Sequence, residues 1–120
     1  MTIVKPHIWK LDAEKEGLQT LYRITTGTHK VGSLRGVNYD DLVRTFGVPS
    51  INVPSGDDKI QVEWVFYFDG DNVFTIYDWK TYDRDYTLKE LTTWSIGGNN
   101  RDLEFNESLI DLLGQKATIV

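Results

Sequence analysis

The sequence contains no cysteine, which removes disulfide frameworks, thiolate metal sites and cysteine nucleophiles together. Histidine is nearly as scarce, with only His7 and His29, and these read as surface or strand-end residues rather than metal ligands. No G-x-S-x-G, H-E-x-x-H, P-loop or G-x-G-x-x-G pattern is present. Catalysis would therefore have to run on carboxylates, for example Asp78 with Asp83 or Asp85, and surface carboxylates are ordinarily solvated. The expectation is a non-enzymatic protein without cofactor or metal. Basic residues are also short, 13 Lys and Arg against 18 Asp and Glu for a net charge of -5, which argues against direct nucleic-acid binding. The acidic residues are interspersed with basic ones, unlike the dense single-signed face of a DNA mimic. No apolar run approaches the ~20 residues of a membrane span. The N-terminal stretch lacks the apolar region and small-residue cleavage site of an export signal, so neither export nor membrane insertion is expected and a cytoplasmic location is.

What is present fits one globular domain over residues 1–120, with 40% hydrophobic and 26% charged residues. Residues 1–17 read as a short edge strand and a turn at Gly17. From Leu18 to Val31 the β-branched and aromatic content predicts strand, turn at Gly27, strand. Asn38 to Gly47 predicts a short capped helix: Tyr39, Leu42, Val43 and Phe46 share one face, Asp41 complements the N-terminus, Gly47 caps the end and Pro49 blocks continuation. Residues 50–58 read as a mobile surface loop.

An aromatic hairpin follows over 60–79. Ile60, Val62, Trp64, Phe66 and Phe68 alternate as a core-facing strand edge, and Asp69-Gly70-Asp71-Asn72 supplies the turn rather than a calcium loop, whose later Gly and Glu are missing. On the second strand, Phe74, Ile76 and Asp78 share one face and Val73, Thr75, Tyr77 and Trp79 the other. Residues 80–90 read as an exposed connection, followed by a strand with Thr92, Trp94 and Ile96 and a turn at Gly97-Gly98-Asn99-Asn100. Asn106 is expected to cap a helix over Glu107 to Leu113, with ATIV either adding an edge strand or fraying. The fold class is α+β, an antiparallel sheet of about four to six strands with two short helices packed on it.

The aromatic residues between Trp64 and Trp94 exceed what one core face can use, and partly exposed Trp and Tyr anchor binding surfaces. The candidate contact residues are Tyr77, Asp78, Trp79, Lys80, Tyr82, Tyr86 and Trp94, with Gly97, Gly98, Asn99 and Arg101 as an anion-binding turn.

Two resemblances accompany these residues. T-I-Y-D-W-K from Thr75 and W-S-I-G-G from Trp94, with the preceding FGVPS and VEWVFYFDGDN, resemble a pattern recurring in small bacteriophage proteins over about residues 46–98. The capped helix followed by F-G-V-P and E-W-V-F-Y-F is also similar to the helix-plus-meander unit of the β-lactamase-inhibitor-like fold. The phage resemblance implies an accessory protein acting in the host cytoplasm, with antagonism of a bacterial defence system as its leading role. It would act as an anti-CRISPR-like inhibitor bound to a host protein, or as a sponge for a nucleotide immune signal. The sponge would use Trp79, Lys80, Trp94 and Arg101. A small structural or homo-oligomerising phage protein is the remaining class.

Overall fold

The computed structural model describes residues 2–5, 7–57, 59–81 and 87–120. Among the described residues, seven strands form in chain order: β1 (Thr2–Lys5), β2 (Ile8–Lys10), β3 (His29–Arg35), β4 (Glu63–Phe68), β5 (Asn72–Tyr77), β6 (Thr93–Gly98) and the two-residue β7 (Thr118–Ile119). Five helices accompany them: α1 (Ala13–Glu16), α2 (Leu18–Thr25), α3 (Tyr39–Phe46), α4 (Thr87–Glu90) and α5 (Leu103–Leu113). The strands make one sheet in the order β1-β2-β4-β5-β6-β3-β7, every neighbouring pair antiparallel. The class is α+β, as the alternating strands and capped helix predict. No helix among the described residues is long and apolar enough to cross a membrane.

Period-2 alternation sends Trp64, Phe66 and Phe68 of β4, Phe74 and Ile76 of β5, and Trp94 and Ile96 of β6 to one face. There α3 contributes Leu42 and Phe46, and α5 contributes Phe105 and Leu109. The rings interlock: Phe105 stacks on Phe74 at 4.1 Å, and Trp64 meets Trp94 edge-on at 5.7 Å. Each buried indole keeps a hydrogen-bond partner. Trp64 Nε1 donates to the Gly47 carbonyl and Trp94 Nε1 to that of Val37, both at 3.0 Å. The α3 cap is the reciprocal box the sequence suggests: Asp41 N–H donates to Asn38 Oδ1 and Asn38 N–H to Asp41 Oδ2, each at 2.9 Å. The Lys116 ammonium, 2.6 Å from Asp41 Oδ1, joins this cap to the C-terminal segment. Gly47 ends the helix at φ 85°, a conformation that favours glycine.

The other sheet face is also covered, but only over half its width. Leu18–Thr25 is helix rather than strand, and α2 places Leu21 against Val65, Leu11 and Ile51, with Ile24, Tyr67 and Val73 at the margin. Leu18, Leu21, Tyr22 and Thr25 fall at i, i+3, i+4 and i+7. The threonines that suggest a strand instead fold back onto the helix, Thr25 Oγ1 donating to the Leu21 carbonyl and Thr26 Oγ1 to that of Tyr22.

Four further expectations are corrected. The start of the 50–58 loop is anchored: Ile51 exchanges two 2.9 Å backbone hydrogen bonds with Glu63, and buried Ser50 accepts from Val65 N–H. The connection after Lys80 contains α4, whose Leu88 enters the main core. β6 runs on through Gly97 and Gly98, so the turn begins at Asn99. The last helix starts at Leu103, capped by Asp102, whose carboxylate accepts from Phe105 N–H, and Asn106 lies inside it.

Candidate functional site on the open half of the second sheet face

Strand register builds a polar surface beside the region that α2 covers. Glu63 pairs with Tyr77, Tyr77 with Ser95, and Ser95 with Ser33, giving one cross-strand row. The adjacent row runs Val65, Thr75, Gly97, Lys30. Cross-strand neighbours on one face lie within ~5 Å of one another, so the side chains of each row are in reach.

Gly97 keeps this surface compact. A Cβ there would stand 2.5 Å from Thr75 Oγ1 and 3.2 Å from Tyr77 Cε1, so only glycine lets the tyrosine ring lean over the strand. Beneath the ring, burial pushes the Glu63 carboxyl up to about 7, the neighbouring Asp78 charge adds to the rise, and the Thr75 hydroxyl partly offsets it. Thr75 Oγ1 is nonetheless left without a full hydrogen bond among the described residues. Burial likewise raises the Tyr77 phenol, helped by the Glu63 charge and opposed by a hydrogen bond with Ser95.

Beyond this row the chain leaves the sheet at a corner fixed by Asp78. That carboxylate is fully buried and accepts from Gln61 N–H at 2.8 Å, from Val62 N–H at 2.9 Å and from the Thr81 hydroxyl. Lys80 then adopts the left-handed φ of 59°, and its N–H donates to the Lys59 carbonyl at 2.7 Å. The corner leaves Trp79 51% exposed. The Lys59 ammonium lies 5.7 Å from its ring centroid, within cation–π reach. A concavity of about 310 Å³ opens here, lined by Lys30, Tyr77, Trp79 and Ser95.

Of the residues singled out in the sequence, Tyr77, Trp79 and Lys80 cluster at this corner. Asp78 is adjacent, yet its oxygens satisfy backbone and Thr81 donors, so it braces the corner rather than meeting a partner. Trp94 is core, 1% exposed, and not a surface anchor. Gly97 and Gly98 are buried strand residues, Gly98 packed against the Phe74 ring, and offer no open anion-binding turn. Asn99 and Arg101 are exposed at the other end of β5, beside Asn72, where they help line a smaller hollow of about 90 Å³. Asn72 and Tyr77 are the two ends of β5, five residue steps or ~17 Å apart. Arg101 and Trp94 therefore do not join Trp79 and Lys80 in one nucleotide site. Tyr82 and Tyr86, and with them Asp83 and Asp85, lie outside the described residues.

Sequence reasoning passed over Lys30, Ser95, Glu63 and Thr75. Their signal was the alternation itself, because Ser95 between core residues Trp94 and Ile96, and Glu63 beside Trp64, must face away from the core. Compared with known proteins, the chain matches no family model, no curated protein and no solved structure. What the geometry offers is an aromatic plate, hydroxyls and ammonium groups around a shallow concavity.

Proposed function

We propose that this is a non-enzymatic binding protein that holds its partner at the Trp79 corner. The observation carrying this reading is that a large indole stays half exposed beside a concavity although both sheet faces have their own apolar clusters. Burying an indole is worth several kcal/mol to folding, so its placement outside both clusters is what a contact residue requires. The resemblance over residues 46–98 supplies the setting, antagonism of a bacterial defence system in the host cytoplasm. Of its two versions, the concavity favours sequestering a small ligand, since its volume lies at the lower edge of ligand pockets, ~300–1,000 Å³. Occluding a host protein is the second reading, favoured by the exposure of Trp79 itself.

The test exposes tagged wild-type protein and a Trp79→Ala variant to host lysate, then identifies retained proteins and small molecules by mass spectrometry. The reading expects a species retained by the wild type and lost from the variant. Equal retention by both would remove the Trp79 corner as the contact surface.

A further inference from the structure

The concavity at the Trp79 corner is lined by a basic side chain although the chain as a whole is acidic. The net charge is -5, yet among the described residues lining the concavity the charged side chain is Lys30, Lys59 stands over the indole, and Lys80 follows it directly. Among the described carboxylates around this corner, exposed Asp57 pairs with Lys59 at 3.9 Å, whereas Asp78 and Glu63 are withdrawn from an occupant. Asp78 turns its oxygens inward to Gln61, Val62 and Thr81, and Glu63 lies largely buried beside Tyr77 and Thr75 with its carboxyl raised toward neutrality. Among the described residues that line the concavity, an anion meets the Lys30 ammonium and no carboxylate. The indole lines the same concavity and is a flat surface on which a ring stacks. The Tyr77 and Ser95 hydroxyls supply further polar groups to its lining. Ordinary exposed tryptophans and lysines are scattered singly; here four side chains converge on one concavity.

We propose that the concavity lined by Lys30, Tyr77, Trp79 and Ser95 binds a planar ring compound bearing an anionic group, the ring on the Trp79 indole and the anion at Lys30. This rests on the reading of the Trp79 corner as the contact surface and names its ligand class. Ring and anion act together at such a site, so neither half alone binds as well as the whole. Stacking on an indole and a single ammonium contact are each modest, which places the expected affinity for a small fragment of the true ligand in a weak range.

The experiment titrates the full chain at low ionic strength with the four ribonucleoside 5′-monophosphates, and with adenosine and ribose 5-phosphate as ring-only and anion-only controls. Heat of binding and the indole N–H resonance of Trp79, assigned with Trp79→Phe, are the readouts. At least one monophosphate is expected to shift that resonance and to bind about tenfold tighter than either control. Trp79→Ala and Lys30→Gln should each weaken it by roughly tenfold, with affinity falling as salt is added. Both side chains are exposed, so the variants keep the fold, which their thermal midpoints verify. Adenosine binding as well as the monophosphate, or binding that leaves the Trp79 resonance unmoved, would overturn the ligand class. If no probe binds while a lysate partner is still lost with Trp79→Ala, the ligand class fails and the contact surface stands. If Trp79→Ala changes neither readout, both fail.

Discussion

Glu63 is a carboxyl enclosed by a sheet, a tyrosine ring and the Ile51 bridge, and its environment sets a pH dependence for the whole fold. In the unfolded chain it releases its proton near 4.5, whereas the native state holds it to about 7. Between those values the native state binds more protons, so this group's contribution to stability falls as pH rises through the window and is level above it. The full loss is at most about 3 kcal/mol. Urea unfolding at pH 5 and pH 8 should show the decline in the wild type and a flatter profile in Glu63→Gln. Asp41 works in the opposite sense. The Lys116 hydrogen bond, with the Asn38 N–H, holds its carboxyl below the usual range, so its stabilisation is present above about pH 4 and is lost on further acidification. Asp78 is the residue whose chemistry differs most from its sequence promise. Asp78→Ala would orphan the buried Gln61 and Val62 N–H groups and cost roughly 2–4 kcal/mol, read as a lowered urea midpoint.

Elements whose local signals agree with their packing are the ones legible in the sequence. α3 carries cap, apolar stripe and stop signal in the ten residues from Asn38 to Gly47, and it forms between the expected ends. β4 and β5 show the alternation and turn chemistry of a hairpin, and pair from Glu63–Tyr77 to Phe68–Asn72. α2 was illegible for a physical reason: Ile24, Thr25 and Thr26 favour strand by composition, while its helical stripe has a target only once Val65 and Leu11 are in place. That dependence yields a prediction. Leu21→Ala should cost about 2–5 kcal/mol and loosen α2 from the sheet, seen as faster amide exchange in residues 18–25 with β4 and β5 still protected. The Gly97-Gly98 pair was misread because glycine marks turns as well as close contacts. Its strand role appears only beside Thr75, Tyr77 and Phe74. Gly97→Ala should destabilise by about 1–3 kcal/mol and displace the Tyr77 ring, a shift visible in its aromatic NMR signals. The candidate site was half legible, since Tyr77, Trp79 and Lys80 are consecutive features of one strand exit, whereas Lys30 reaches it only through β3 pairing with β6.

At the scale of the molecule, one sheet separates two unequal tasks. Its first face, roofed by α3 and α5, holds the fully buried Phe and Trp side chains of the described residues in an interlocked core. Its second face is divided between the small cluster under α2 and the polar rows that end at Trp79. An acidic chain thereby places Lys30 and the Trp79 indole around one hollow, the arrangement on which the proposed anionic ligand rests. The central claim is that Trp79 serves binding and contributes little to stability. Its most direct test is native mass spectrometry of wild type and Trp79→Ala recovered from host lysate, with their thermal unfolding measured in parallel. The account predicts stability equal to within about 0.5 kcal/mol and a bound species present on the wild type alone. A variant that retains the bound species, or that unfolds as a core tryptophan variant would with a loss of about 3–5 kcal/mol, would contradict it.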